Sequence, residues 1–194
     1  MRGTSRALSM AAVLALTVGV AAPAQADQGQ PVPFKGSEET IGAEAVPDTA
    51  CPAIPEMGMV GAGLRMSATI LGNASHMGRY ISEGSWCLDW LSMEETDDPE
   101  VVAVTWDLVD LHVTKTAANG DTIEFVGGDF TSTWHVELPE WNLLAVESAG
   151  TLEIVGGTGR FADASGSIYN TESSTGILTF SGEILYDASN RAAG

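Results

Sequence analysis

The sequence predicts an all-β protein, an eight-stranded antiparallel β-barrel, and three observations carry that expectation. Beyond residue 26 no window shows helical period, and the apolar residues recur instead at every second position. Clusters of Gly, Pro, Asn, Asp and Ser interrupt these runs often enough to leave about eight strands. An antiparallel sandwich would use the same pattern, but closure into a barrel removes exposed strand edges, so the barrel is the expected arrangement.

The N-terminus sets the compartment. Arg2 and Arg6 precede an apolar run over residues 8–22, and Ala24 and Ala26 supply the small residues that a signal peptidase reads. Residues 1–26 therefore read as a secretory signal helix, cleaved so that the mature chain starts near Asp27. The apolar run is short for a membrane span and nothing later replaces it, so no membrane insertion is expected after cleavage. Residues 27–194 are long enough to bury one core and are expected to form a single barrel domain.

All 26 acidic residues follow the signal, and two of the eight basic ones leave with it, so the mature net charge is 6 − 26 = −20. A chain of that charge repels nucleic acid and anionic lipid, which excludes both as partners; extracellular solubility is the plain reading of the acidity. Cys51 and Cys87 enter an oxidising space as a pair, so a disulfide is expected, contributing roughly 2–4 kcal/mol. The rival reading, a nucleophilic or metal-bound thiol, lacks a second thiol pair or a His at ligand spacing.

Taken in order, a first strand is expected around residues 34–43, followed by a loop over residues 47–55 that contains three prolines and Cys51. From Val60 to Ile70 the set Val60, Ala62, Leu64, Met66, Ala68 and Ile70 falls on one face, with Arg65, Ser67 and Thr69 on the other. Residues 79–90 place Tyr80, Ser82, Gly84, Trp86, Leu88 and Trp90 together. The carboxylate-rich residues 92–100 lack the alternating ligands and the Gly of a calcium loop and read as a solvated turn.

Residues 101–116 form a long β-branched run ending at Asn119-Gly120, a hairpin signal. A two-residue loop would pair Thr114 with Phe125 and split the apolar set. A three-residue loop, Ala118-Asn119-Gly120 with Gly120 left-handed, puts Val113 opposite Phe125 and Lys115 opposite Ile123, and keeps Val109, Leu111 and Val113 on their face; this register is the expected one. Further strands are expected at residues 130–137, 151–155, 165–169 and 176–187, the last with Leu178, Phe180, Ile184 and Tyr186 on one face.

Gly157-x-Gly159-x-x-Ala162 after an apolar run looks like a dinucleotide-binding turn. Such a site needs a helix directly after the glycines, to aim amides at the pyrophosphate, and residues 163–167 (DASGS) have turn chemistry instead. A phosphate loop fails as well, because no Lys-Ser/Thr pair follows. No cofactor is expected. The residues Gly156, Gly157, Gly159, Arg160 and Phe161 read as a tight structural reversal, with Phe161 turned in to plug one barrel end and Arg160 free to bond a carbonyl or carboxylate.

The stretch IVGGTGRFADASGSI followed by GILTFSGEILYD is similar to the C-terminal part of the allene oxide cyclase and dirigent barrel superfamily, where a Gly-Gly-Ser/Thr-Gly-x-Phe turn precedes a small-residue strand. NASHMGRYISEGSWCL, AANGDTIEF and PFKGS resemble upstream strands of secreted bacterial proteins with this barrel. The resemblance implies eight antiparallel strands around an apolar lumen and, from the plant members, a homo-oligomer. In that superfamily the cyclases rearrange a fatty-acid epoxide, and dirigent proteins orient radical coupling without a redox centre. The match lies in turns and strand glycines, so it carries the scaffold and places no catalytic residue.

His76, His112 and His135 are scattered, without metal-ligand spacing, and no metal is expected; Ser165 lacks a nucleophile elbow. The aromatic residues Tyr80, Trp86, Trp106, Phe125 and Trp134 lie on central strands, where a small barrel uses such rings either to fill its interior or to line a pocket for one small apolar ligand. Trp141, in an irregular segment, is a lid or a packing anchor. Glu83 and Asp107 are the acid/base candidates if the lumen is a site; otherwise they face water. Two functions follow: a secreted, non-catalytic barrel binding a small apolar ligand or a surface partner, or a cofactor-free cyclase/isomerase that acts by orienting its substrate.

Overall fold

A computed structural model describes residues 30–174 and 176–187; the expected signal helix at residues 1–26 lies outside the described residues. Eight antiparallel strands close into a ring: β1 (Val32–Asp48), β2 (Gly63–Ala74), β3 (Gly78–Glu95), β4 (Val101–Ala117), β5 (Thr122–Glu137), β6 (Asn142–Gly157), β7 (Ser165–Glu172) and β8 (Ile177–Leu185). Each strand pairs with its sequence neighbours, and β1 closes the ring against β8. Three-residue 3-10 turns at Pro55–Met57 and Gly159–Phe161 are the only helical segments among the described residues.

The β4–β5 hairpin has the expected register, with Val113 opposite Phe125 and Lys115 opposite Ile123. Gly120 has φ +90°, and the Ala117 amide donates to the Asp121 carbonyl, closing the three-residue loop. One face assignment changes. Cys87 lies opposite Val109 and Ser85 opposite His112, so β4 carries an extra residue at a bulge where Asp110 takes φ +52°. The bulge switches the inward set from Val102, Val104, Trp106 and Leu108 to Leu111, Val113, Lys115 and Ala117, and leaves Val109 off the buried face.

The strands also run longer than their apolar alternation. β1 continues five residues past Ala43, β3 runs on to Glu95, and β6 starts at Asn142 rather than near Thr151. In contrast β2 begins at Gly63, and Val60 is 87 % exposed outside it. The outermost parts of these segments, residues 44–48, 91–95 and 142–147, hold no buried residue to impose a period, and for β1 and β6 the pairing shows why. β8 reaches only Glu39 of β1, and β7 reaches only Ser148 of β6. Ring closure is therefore complete at one end only. Towards the other end β1 to β6 continue as a curved six-stranded wall, with free edges at residues 41–48 of β1 and 142–147 of β6 above the short β7–β8 hairpin.

At the fully closed end Phe34, Ile123, Phe161, Ile168 and Ile184 are buried at 1 % exposure or less. Each such side chain contributes roughly 1.5–3 kcal/mol of transfer free energy. The glycine turn supplies the plug: Gly159 sits at φ +57°, where a β-carbon would be strained, and Phe161 is turned inward with its ring 5.1 Å from that of Tyr186. Arg160 lies beside Asp121 at 3.4 Å, and its guanidinium is 4.7 Å from the centre of the Phe161 ring. The chain passes from this turn straight into β7, the reversal expected of it.

Cys51 and Cys87 form a disulfide with a Cα–Cα distance of 5.3 Å. It ties the β1–β2 loop to β3, and Ile54 of that loop is wholly buried in the core. No described helix is long and apolar enough to cross a membrane.

Candidate functional site

The ring encloses a cavity of about 310 Å3. Most of its wall is apolar, from Met66, Ala68, Ile70, Leu108, Leu111, Val113, Phe130 and Leu152, with the Trp86 and Trp134 rings among them. Thr40, Ala43 and Leu143 also line it and are solvent-exposed, so it opens at the free edges of β1 and β6. The shortness of the β7–β8 hairpin makes this mouth. Two hydrogen-bonded clusters of polar groups interrupt the wall, and Ser82 and Asn170 also line it.

The first group is built by six strands. Lys115 on β4 falls in phase with Leu111 and Val113 and so must point inward, where it is 1 % exposed. Glu38 on β1 is in phase with the buried Phe34 and accepts a hydrogen bond from the Lys115 ammonium. The Tyr80 hydroxyl, from β3, donates to the same Glu38 Oε1 at 2.6 Å. Gly72 on β2 permits this, because a β-carbon there would overlap the Tyr80 ring. The rings of Phe180, Tyr80 and Phe125 stand 4.7, 5.1 and 5.3 Å from Lys115 Nζ, a collar that interacts with the cation through its π faces. Burial depresses the Lys115 pKa from its ordinary value, against the opposing pull of Glu38, and burial together with the Glu38 charge raises that of Tyr80 far above the phenol range.

The second group is a relay across β5, β6 and β7. Ser132 lies opposite Ser148, and Ser148 opposite Glu172. The Ser148 hydroxyl donates to Glu172 Oε2 at 3.0 Å, so its oxygen accepts from Ser132 at 2.9 Å, which in turn accepts from the Trp134 indole N–H at 2.9 Å. All donors point towards Glu172. Burial raises the Glu172 pKa, with the Ser148 hydrogen bond acting against it.

The sign of that shift predicts a pH dependence. The native state holds the Glu172 proton more tightly than the unfolded chain does, so this residue favours folding most at acid pH, and the contribution is lost as pH rises through its raised native pKa. Glu172→Gln keeps an acceptor for Ser148 and removes the charge. It is expected to stabilise the protein by about 0.5–1 kcal/mol at pH 7, discounted for partial solvent screening, and by much less near pH 4. Urea denaturation at the two pH values measures it; equal effects at both would refute the assignment.

The sequence-predicted residues divide. Trp86 and Trp134 line the cavity. Tyr80 stands behind Glu38, Phe125 beside Lys115, and Trp106 is buried between Trp90 and Trp134 at ring distances of 5.2 and 5.6 Å. Glu83 is exposed, and Asp107 lies on the opposite face of β4 from Trp106 and Leu108, so neither is among the cavity residues. Trp141 is exposed.

The carboxylates of the cavity are Glu38 and Glu172, and the sequence carried a signal for each. A charged residue occupied an inward position of an alternating series: Phe34-x-Gly36-x-Glu38, Leu111-x-Val113-x-Lys115 and Ile168-x-Asn170-x-Glu172. Among the described residues no three His, Cys, Asp or Glu side chains cluster as a metal site.

Fold and site together define a closed antiparallel β ring around a mostly apolar cavity with an ionic pair on its wall. No protein-family model matches the chain, and no curated protein matches it.

Proposed function

We propose that this is a secreted β-barrel protein, akin to the allene oxide cyclase and dirigent superfamily, that binds one small, mostly apolar molecule in its lumen. The observation that carries the reading is the cavity itself, about 310 Å3, open to solvent at one side and apolar over most of its wall, with a small number of polar groups set into it. A filled barrel would have closed that space with side chains. The Arg2-to-Ala26 leader and the buried Cys51–Cys87 bridge support export.

A ligand entering this space contacts Trp86 and Trp134, so titration with C8–C12 alcohols and small terpenoid alcohols is expected to give saturable changes in tryptophan fluorescence. Trp86→Ala or Trp134→Ala should weaken binding about tenfold. Absence of saturable binding by every such probe, in folded protein, rejects the reading.

A cofactor-free cyclase or isomerase is the second reading, and Glu172 favours it. A carboxyl at a cavity wall whose pKa is raised by burial is a candidate general acid, and the Ser148 hydroxyl that donates to it fixes its orientation while opposing that shift. Turnover lost in folded Glu172→Gln would select this reading over simple binding.

A further inference from the structure

Beyond reversible binding, and resting on the reading of the lumen as a ligand site, we infer that Lys115 is a covalent anchor for a carbonyl-bearing apolar ligand, an aldehyde by preference, held as an imine to its Nζ. Three independent features of the same cavity converge on this. Lys115 is among the residues that line the cavity, and at 1 % exposure it is screened from bulk water. Glu38, also on that wall, is bonded to the amine and is positioned to take and return its proton. Ser82 Oγ and Asn170 Oδ1 are buried without a hydrogen-bond partner and line the same space, with Ser82 directly opposite Lys115 across β3 and β4. Buried polar atoms left without partners are costly, so a polar ligand group that pairs with them gains what the empty site forgoes.

The chemistry balances without an oxidant or a cofactor. The Lys115 ammonium passes a proton to the Glu38 carboxylate, and the freed lone pair attacks the carbonyl carbon, forming the C–N bond of a carbinolamine. Ser82 has a hydroxyl to donate to the carbonyl oxygen, and Asn170 Oδ1 accepts from the carbinolamine hydroxyl. The C–O bond then breaks as Glu38 returns its proton and water leaves. An iminium remains, paired with the Glu38 carboxylate as the ammonium was before. Charge is conserved: aldehyde plus ammonium gives iminium plus water. Desolvation by the apolar wall favours the neutral amine that this step needs, as it does for other amine nucleophiles.

The chain holds two lysines, and Lys35 is exposed on β1, which makes the test clean. Folded protein is incubated with octanal or cinnamaldehyde and sodium cyanoborohydride, and the adducts are located by peptide mass mapping. Lys115 is expected to carry the alkyl group in preference to Lys35 and the N-terminal amine, and octanol or cinnamyl alcohol present in excess should suppress the adduct by occupying the lumen. Lys115→Met should lose it, and Glu38→Gln/Lys115→Met, which leaves no unpaired buried carboxylate, serves if the single variant does not fold. Modification confined to Lys35 and the N-terminus overturns the inference. If the alcohols still bind saturably in that case, the lumen remains a ligand site without a covalent anchor; if they do not, both readings fall.

Discussion

Lys115→Ala is expected to destabilise the protein by about 3–5 kcal/mol at neutral pH, and Glu38→Ala by a similar amount, because each leaves the other residue buried without its counter-charge. Lys115 and Glu38 are 1 % and 5 % exposed. In such an environment the Coulombic attraction of the pair roughly offsets the cost of taking two charges from water, so the net worth of the intact pair is small while the cost of breaking it is large. The double replacement Glu38→Met/Lys115→Met, which fills the space with apolar volume, should therefore lie within about 1–2 kcal/mol of wild type, or above it. Urea denaturation of the two singles and the double, closed as a thermodynamic cycle, measures the coupling. Singles as mild as exposed ion-pair variants, near 0.5 kcal/mol, would mean that the pair is not desolvated. Glu38→Ala also removes the acceptor of the Tyr80 hydroxyl, so it should be the worse of the two if that hydroxyl finds no substitute.

Removing the disulfide is the second large effect. Cys51 and Cys87 are separated by 36 residues, and closing a loop of that size restricts the unfolded chain by roughly 4 kcal/mol in the chain-entropy treatment. Cys51→Ala/Cys87→Ala should lose most of this and additionally loosen the β1–β2 loop that carries buried Ile54. Because Cys51 and Cys87 are 5 % and 1 % exposed, dithiothreitol should reduce the native protein slowly, at the pace of loop or global opening. Urea denaturation reads the loss of stability, and thiol alkylation with mass spectrometry reads the reduction. Two alkylated cysteines in unreduced native protein, or a double variant as stable as wild type, would contradict them.

The parts of the fold legible in the sequence are those where one strand face is buried and the other wet. The β2 and β3 faces, the β4–β5 register and the inward Phe161 were all readable, because burial on one side imposes a period of two and a glycine at positive φ marks where the chain reverses. Where neither face is buried the signal vanishes. Residues 41–48 and 142–147 pair on one side only, so β1 and β6 run further than any alternation suggests. The bulge at Asp110 was likewise invisible: one inserted residue exchanges the faces of β4 without leaving any mark in composition.

The candidate site was legible in part: of the five predicted rings two line the cavity, and its charged residues were marked only by their inward phase in alternating runs. Trp86 and Trp134 reach the cavity as the alternation implied, whereas Glu83 and Asp107 do not, and Glu38, Lys115 and Glu172 do. The chain alone determined that the structure is all β, how the β4–β5 hairpin pairs, and that two cysteines were available to bridge, since these follow from local periodicity and turn chemistry and from there being one pair of thiols. Only the tertiary structure decided which charged residues meet. Glu38 and Lys115 are 77 positions apart and come together because ring closure sets β1 across the lumen from β4, and the same closure, left incomplete by a short β7–β8 hairpin, opens the cavity above them. Such long-range pairing depends on the shared register of eight strands, a property of the whole ring that no single stretch of sequence contains.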